Sequence, residues 1–357
     1  VIEKVREWLD EQPQLLLDKN RSDSRLETWL RLFAFQRALQ NWGNHYQLLF
    51  GKSLYGQLLF GQLQSGSSSL GHSSNSNKND EVDQVTAYCL DPGYFLAESW
   101  KRCASALLFS GTLQPHDWYA QTLGLQRLDA ARRGEDMQIE HALENTEARA
   151  AILALPMQYQ QRQHSLPAAI PFFQKLLEAK PGRYLIAAAS FEIIRQLGNA
   201  LRPLLPVYHW LEQIADTKES ARQQFLNSFI AHENCVALVI SGGVFAEGID
   251  LPEHPLAGVI QVGLPMPAPS DERKHLQQYY DTHFGQGFEY TYIFPAIART
   301  LQTCGRLLRK DGDKGTLLLI DARYLRAPYK TFLPQHWIKR QIRTPEELAH
   351  FATTESV

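Results

Sequence analysis

The chain has 357 residues, 44% of them hydrophobic, and a formal net charge of −2. That length supports two or three units, each with its own core. The near-neutral total excludes wholesale electrostatic coating of nucleic acid but leaves room for a local phosphate-binding groove, and with no run of eighteen apolar residues no membrane-spanning helix is expected.

The opening stretch, VIEKVREWLDEQ, reads as an amphipathic helix and not as a signal peptide. A start on Val1 is what a piece trimmed from a longer protein would show. Helix is expected through residue 63, because Trp29, Leu30, Leu32, Phe33, Phe35, Leu39 and Trp42 recur at helical spacing. Residues 64–80, QSGSSSLGHSSNSNKND, are too polar to bury a core. They read as a disordered loop or an engineered linker.

Beyond the loop, apolar runs bounded by turn residues alternate with helical stretches. The runs are Ala106–Ser110, Tyr184–Ala189, Val236–Ser241, Gly258–Gly263 and Thr316–Asp321. Continuous apolar strands are what a parallel sheet covered on both faces requires. Helices are predicted over Ala168–Ala179, Phe191–Leu204 and Lys218–His232. The expectation is a doubly wound α/β domain over residues 165–335, whose ligands would sit at the carboxyl ends of its strands.

The cysteines, Cys89, Cys103, Cys235 and Cys304, form no CxxC pair and read as reduced, mostly buried thiols. The twelve histidines are scattered without an HExxH, so no metal site is expected.

Three constellations carry chemistry. The first is Gln302-Thr-Cys-Gly305-Arg306-Leu-Leu-Arg309. If Pro295–Lys310 is one helix, Ile297, Leu301, Cys304 and Leu308 form an apolar face, while Gln302, Arg306 and Arg309 share another. Two arginines and a glutamine on one stripe suit a triphosphate, or equally a solvated basic face. Gly305 beside them fits close approach to the backbone, at about 1 kcal/mol of helix propensity. The second is Ser241-Gly242-Gly243-Val-Phe-Ala-Glu247-Gly248-Ile-Asp250, directly after an apolar strand. Its glycines can turn N–H groups toward a ligand or serve a plain strand-to-helix turn. The third is Ser110-Gly111-Thr112, also at the end of an apolar run. The aromatics Tyr279, Tyr280, Phe284, Phe288, Tyr290, Tyr292 and Phe294 read as core before they read as base-stacking platforms.

In chain order, Ser110–Thr112, Ser241–Asp250 and Gln302–Arg309 resemble motifs III, V and VI of superfamily 2 helicases, more narrowly the Rad3/XPD/DinG (YoaA-like) branch. The tract ARTLQTCGRLLRKDGDKGTLLLIDARY, from Ala298 to Tyr324, carries the likeness most closely. GRYLIAAASFEIIRQL holds the motif IV position, where only Ser190 remains of a Thr-Ser pair.

The resemblance implies a RecA-like second motor domain whose Arg306 and Arg309 reach as fingers to ATP bound on the first motor domain. Such fingers accelerate phosphoryl transfer by roughly 10³–10⁵. It implies a nucleotide-sensing role for Gln302 and nucleotide coupling through Glu247, Gly248, Asp250 and Gly305. It places DNA contact or coupling at Ser110, Gly111, Thr112, Ser190, Gly242 and Gly243. Residues 1–63 then correspond to a helical arch-like segment, 81–125 to the closing segment of the first motor domain, 126–164 to a connector and 336–357 to a short helical tail. ATP with Mg²⁺ would be held mainly by the first motor domain, and an iron–sulfur cluster would lie upstream. Single-stranded DNA, the first RecA-like domain of the same protein and a repair or replication protein are the implied partners, in the cytoplasm and without a membrane.

A Walker A loop is not legible: Gly51-Lys52-Ser53 lacks the first glycine, with Tyr46 in its place, and falls where a helix is expected. No DEAH box occurs; Asp80-Glu81-Val82-Asp83 lies beside the loop. The chain alone is therefore not expected to hydrolyse ATP. A non-catalytic module binding single-stranded DNA or a protein is the alternative, and an RNA translocase a weaker one.

Overall fold

A computed structural model describes residues 46–54, 81–110, 113–129, 147–215, 219–243, 245, 256–308 and 313–354; residues 46–54, 81–87, 147 and 219 are described by backbone alone.

The first described elements are strands β1 (Tyr46–Leu54) and β2 (Glu81–Cys89), antiparallel with Tyr46 opposite Cys89 and Leu54 opposite Glu81. Strand β1 corrects the helical expectation for this part of residues 1–63. Gly51 weakens a helix there by about 1 kcal/mol, and β2 offers Val82, Val85 and Thr86, residues that favour a pleated surface. Gly51, Lys52 and Ser53 pair with Gln84, Asp83 and Val82. The triplet is thus strand, neither helix nor phosphate loop. The remainder of 1–63, and the loop 64–80, lie outside the described residues.

Helices α1 (Pro92–Trp100) and α2 (His116–Thr122) follow. The Asp91 carboxylate caps α1 by accepting from the Tyr94 N–H at 3.2 Å, and Pro92 fits the first turn. The apolar run Ala106–Ser110 is not a strand: Leu107 and Phe109 are 79% and 87% exposed. A strand needs a neighbour to supply its hydrogen bonds, and no described strand flanks this run.

The main body is a seven-stranded parallel sheet. Its strands are β3 (Glu147–Leu153), β4 (Arg183–Ala188), β5 (His209–Glu212), β6 (Cys235–Ile240), β7 (Gly258–Val262), β8 (Lys314–Ile320) and β9 (Ile338–Ile342), in the order β5-β6-β4-β7-β8-β3-β9. Every pairing is parallel. The α/β, doubly wound RecA-like class expected from the sequence is what forms. The sheet also takes in β3 and β9, which lie outside the expected span of 165–335 in what read as a connector and a helical tail. The tail holds a strand as well as a helix.

Alternate side chains of the interior strands enter two cores. Leu185, Ala187, Ala237, Val239, Val259, Leu317 and Leu319 face one, and Tyr184, Ile186, Val236, Leu238, Ile260, Leu318 and Ile320 face the other. The first core is covered by α5 (Glu219–Ala231), α6 (Asp271–Phe284) and α7 (Phe294–Cys304), through Phe229, Tyr280, Ile297 and Leu301. The second is covered by α3 (Arg162–Ala179), α4 (Phe191–Leu201) and α8 (Pro345–Thr353), through Phe173, Leu176, Ile194, Leu197 and Phe351. Burying one such side chain contributes about 1.5–3 kcal/mol, so the two faces together fix the strand register.

Candidate nucleotide and nucleic-acid site

Parallel α/β sheets bind ligands beyond the carboxyl ends of their strands. Here that edge is tied together by buried side-chain amides and a carboxylate. Fully buried Gln261, on β7, donates to Ser241 Oγ at 2.8 Å and to the Gly263 carbonyl at 3.0 Å. Gln213, just after β5, accepts from the Ile240 N–H at 2.9 Å. Asp321, at the end of β8, accepts from the Leu264 N–H at 3.1 Å and binds Arg323 through both carboxylate oxygens, at 3.0 and 2.7 Å. Each would cost about 1–3 kcal/mol if left unpaired, so these groups hold the loops in one arrangement.

Directly after β6, Ser241 donates its N–H to the Ala188 carbonyl at 2.9 Å, and Gly243 closes a turn on the Ile240 carbonyl at 3.0 Å. Gly242 takes φ +72°, a left-handed conformation that favours glycine. A Cβ at Gly242 would meet Arg299 Cδ at 2.9 Å and Nε at 3.1 Å. Arg299 also donates to the Pro265 carbonyl at 3.5 Å. From α7 it therefore spans the turns that follow β6 and β7. Phe245 is fully buried, with its ring centroid 4.3 Å from that of Phe225. Beside it a cleft of about 280 Å³ opens between Leu211, Ile214, Phe225 and Phe245.

Helix α7 begins straight after a π-helical turn, Glu289–Ile293. It buries Ile297, Leu301 and Cys304, as the spacing predicted. Burial pushes the Cys304 thiol up to about 12, so this sulfur stays protonated. The helix ends at Cys304, six residues short of the expected Lys310. Gly305 caps it, and Arg306 and Leu307 bond back to the Thr303 and Cys304 carbonyls at 3.2 and 3.0 Å, an i to i−3 pattern. Leu307 then packs against Gly315, where a Cβ would come within 2.4 Å of Leu307 Cδ1. Gln302 and Arg306, expected on one helix, are thus separated by its end. Gln302 stands on the last turn and Arg306 just beyond it, both half-buried, with Gly305 exposed between them.

Of the other predicted positions, Ser190 caps α4, its Oγ accepting from the Ile193 N–H at 3.4 Å. It follows β4, whose Ala188 carbonyl holds Ser241, so Ser190 and the Gly242–Gly243 turn share one edge of the sheet. Ser110 is exposed in the irregular stretch before α2. Gly111, Thr112, Glu247, Gly248, Asp250 and Arg309 lie outside the described residues. The aromatic cluster divides: Tyr279, Tyr280, Tyr290 and Phe294 are buried, whereas Phe284 and Phe288 are exposed. Arg299 was not singled out from the sequence. Its signal was there: it precedes Gln302 by three residues and so shares that side of the helix.

Comparison with known proteins agrees with this geometry. Residues 173–340 match the helicase C-terminal domain family. The ATP-dependent DNA helicase DinG of Photobacterium profundum is 26% identical over 270 residues, which cover 71% of this chain and 36% of that protein. The ATP-dependent DNA helicase XPD of Sulfolobus acidocaldarius is 23% identical over 229 residues, covering 62% of the chain and 39% of the relative. YoaA of Escherichia coli is 29% identical over 160 residues, covering 44% and 25%. The chain thus spans little more than a third of these relatives at most. A solved XPD helicase structure shares the fold with a TM-score of 0.56 at 22% identity, covering 73% of this chain and 46% of that one. Among the described residues no helix is long and apolar enough to cross a membrane. Residues 173–340, which hold most of the sheet and the glycine turn under α7, thus match the helicase C-terminal domain family, and the chain is similar to the DinG and XPD helicases.

Proposed function

We propose that the chain is the C-terminal motor half of an ATP-dependent DNA helicase that moves 5′ to 3′ along single-stranded DNA in repair or replication. The observation that carries this reading is the end of α7, where Gln302 on the last turn, the exposed cap Gly305 and Arg306 just beyond it follow the helix that reaches Gly242 through Arg299. A guanidinium beside an open backbone fits an anionic oxygen ligand. Arg306, with Arg309, acts as a finger on ATP·Mg²⁺ held mainly by a first RecA-like domain, and Gln302 senses the phosphate. Glu247, Gly248 and Asp250 couple nucleotide state to the turn at Gly242–Gly243, and Ser110, Gly111, Thr112 and Ser190 contribute to the DNA path. In this division residues 81–125 close the first motor domain, the sheet is the second, and the protein works in the cytoplasm.

The test is single-strand-stimulated ATP hydrolysis by the N-terminally extended parent, beside the same protein carrying Arg306→Ala. Turnover by the parent and a loss of about a hundredfold or more in the variant, the scale of a missing finger, supports the reading. No DNA-stimulated turnover, or an unaffected variant, overturns it in favour of a motor-shaped binding module.

A further inference from the structure

Charge is spread evenly over most of the second motor domain: residues 171–335 hold 17 Lys/Arg and 16 Asp/Glu. One stretch departs from this balance. Residues 322–345 contain Arg323, Arg326, Lys330, Lys339, Arg340 and Arg343 and no acidic residue. Arg323 is committed to Asp321. The other five are exposed, and none of their side chains pairs with a carboxylate among the described residues.

The stretch is not a floppy charged tail. It is pinned by Leu333, Trp337 and Ile342, which are 3%, 7% and 1% exposed, and by Phe332, whose ring meets Phe294 edge-on at 5.4 Å. Lys330 lies on the short helical turn Tyr329–Phe332, while Lys339 and Arg340 lie on β9, the edge strand. Lys339 donates to the Pro334 and Gln335 carbonyls, which bends it back toward the Lys330 turn. Its ammonium is held below the usual lysine range by burial first and by the Lys330 charge second, so the two cations are close enough to feel each other.

Lysines on an edge strand guard against strand-to-strand aggregation. That accounts for Lys339 and Arg340, but not for Arg326 and Lys330, which lie off the strand. Uncompensated cations held on buried anchors match a polyanion with regularly spaced charge.

We propose that Arg326, Lys330, Lys339 and Arg343 form a phosphate-backbone contact for a single nucleic-acid strand, at the β9 edge and separate from the Gly242–Arg306 site; Arg340, next to Lys339 on the strand, leaves the opposite face of the sheet. That the strand is DNA rests on the helicase reading; the charge match does not.

The experiment measures binding of the 357-residue chain to a fluorescent oligo-dT over a range of salt concentrations. It compares the chain with Arg326→Gln/Lys330→Gln/Lys339→Gln/Arg343→Gln and with a control that loses four exposed cations elsewhere, Lys101→Gln/Arg102→Gln/Arg195→Gln/Lys274→Gln. Thermal melts establish that both variants are folded. With about 0.7 of salt slope per phosphate contact on a single strand, the edge variant should lose about 2–3 of slope and the control less than 1. An edge variant identical to the parent chain, or an equal loss in the control, overturns the proposal. So does a chain that binds no oligo-dT, or polyglutamate displacing the strand as effectively as unlabelled oligo-dT, which would make the partner an acidic protein. Failure here leaves the ATP-hydrolysis test of Arg306 untouched, so the two readings fall separately.

Discussion

Arg299 lies across Gly242, with its Cδ 2.9 Å from where a β-carbon of residue 242 would be. Two separate costs therefore meet in Gly242→Ala: the left-handed backbone at φ +72°, worth about 1–2 kcal/mol for an L-residue, and the clash with the arginine stem. We expect Gly242→Ala to lower stability by about 2 kcal/mol or more, and Arg299→Ala to recover part of that loss in the double variant. Urea unfolding of the four proteins checks this. A coupling below about 0.5 kcal/mol would mean that the arginine stem yields freely.

A second prediction concerns Asp91 and Tyr279, 188 residues apart. The phenol donates to the carboxylate at 2.8 Å, and Asp91 also pairs with Arg127 and caps α1. Burial, then the neighbouring Asp91, pushes the Tyr279 phenol well above its usual range, so it remains a donor at any working pH. Tyr279→Phe should cost about 1–3 kcal/mol, as for a hydrogen bond to a charged group. Asp91→Ala should cost more, because it also removes the helix cap. Hydrogen exchange should show α1 opening first in both. Equal losses in the two variants would place the weight on the aromatic packing instead.

The third prediction is a pH dependence. The rings of His209 and His232 stack with centroids 3.8 Å apart. Desolvation, and secondarily the His232 charge, hold His209 below the ordinary 6.5. The unfolded chain then binds the proton more readily than the folded one. Stability is therefore full above about pH 6.5 and falls as pH drops below that value through the lowered one. The melting temperature should decline between about pH 7 and pH 5, and His209→Gln should flatten that decline. An unchanged slope in the variant would assign the effect to other groups.

Four interior strands, β4, β6, β7 and β8, were legible to within a residue or two. Tyr184–Ala189 was expected where Arg183–Ala188 forms, and Val236–Ser241 where Cys235–Ile240 forms. Strands covered on both faces leave an unbroken apolar run, and that is visible without a structure. Strand β9, IKRQI, buries only Ile342, so its composition carries no such mark. Strand β3 opens Glu-Ala-Arg-Ala, which reads as helix by propensity. The run at Ala106–Ser110 shows the opposite error: its composition suits a strand, yet pairing makes a strand and no described neighbour supplies it. At the site, residue types and order pointed to the loop after β6 and to α7. What they could not give was the early end of α7 at Gly305, which depends on Leu307 turning inward over Gly315.

The order of the sheet also bears on how the polypeptide is made. Strand β3 leaves the ribosome first of the seven, yet its two neighbours are β8 and β9, which emerge more than 150 residues later. Throughout that interval its hydrogen-bonding edges have no native partner. Such long-range closure is slow and leaves apolar chain exposed to misassembly. The nascent chain should therefore draw on chaperones until its last strand is released, and a ribosome stalled before residue 338 should present a sheet that is still open at β3.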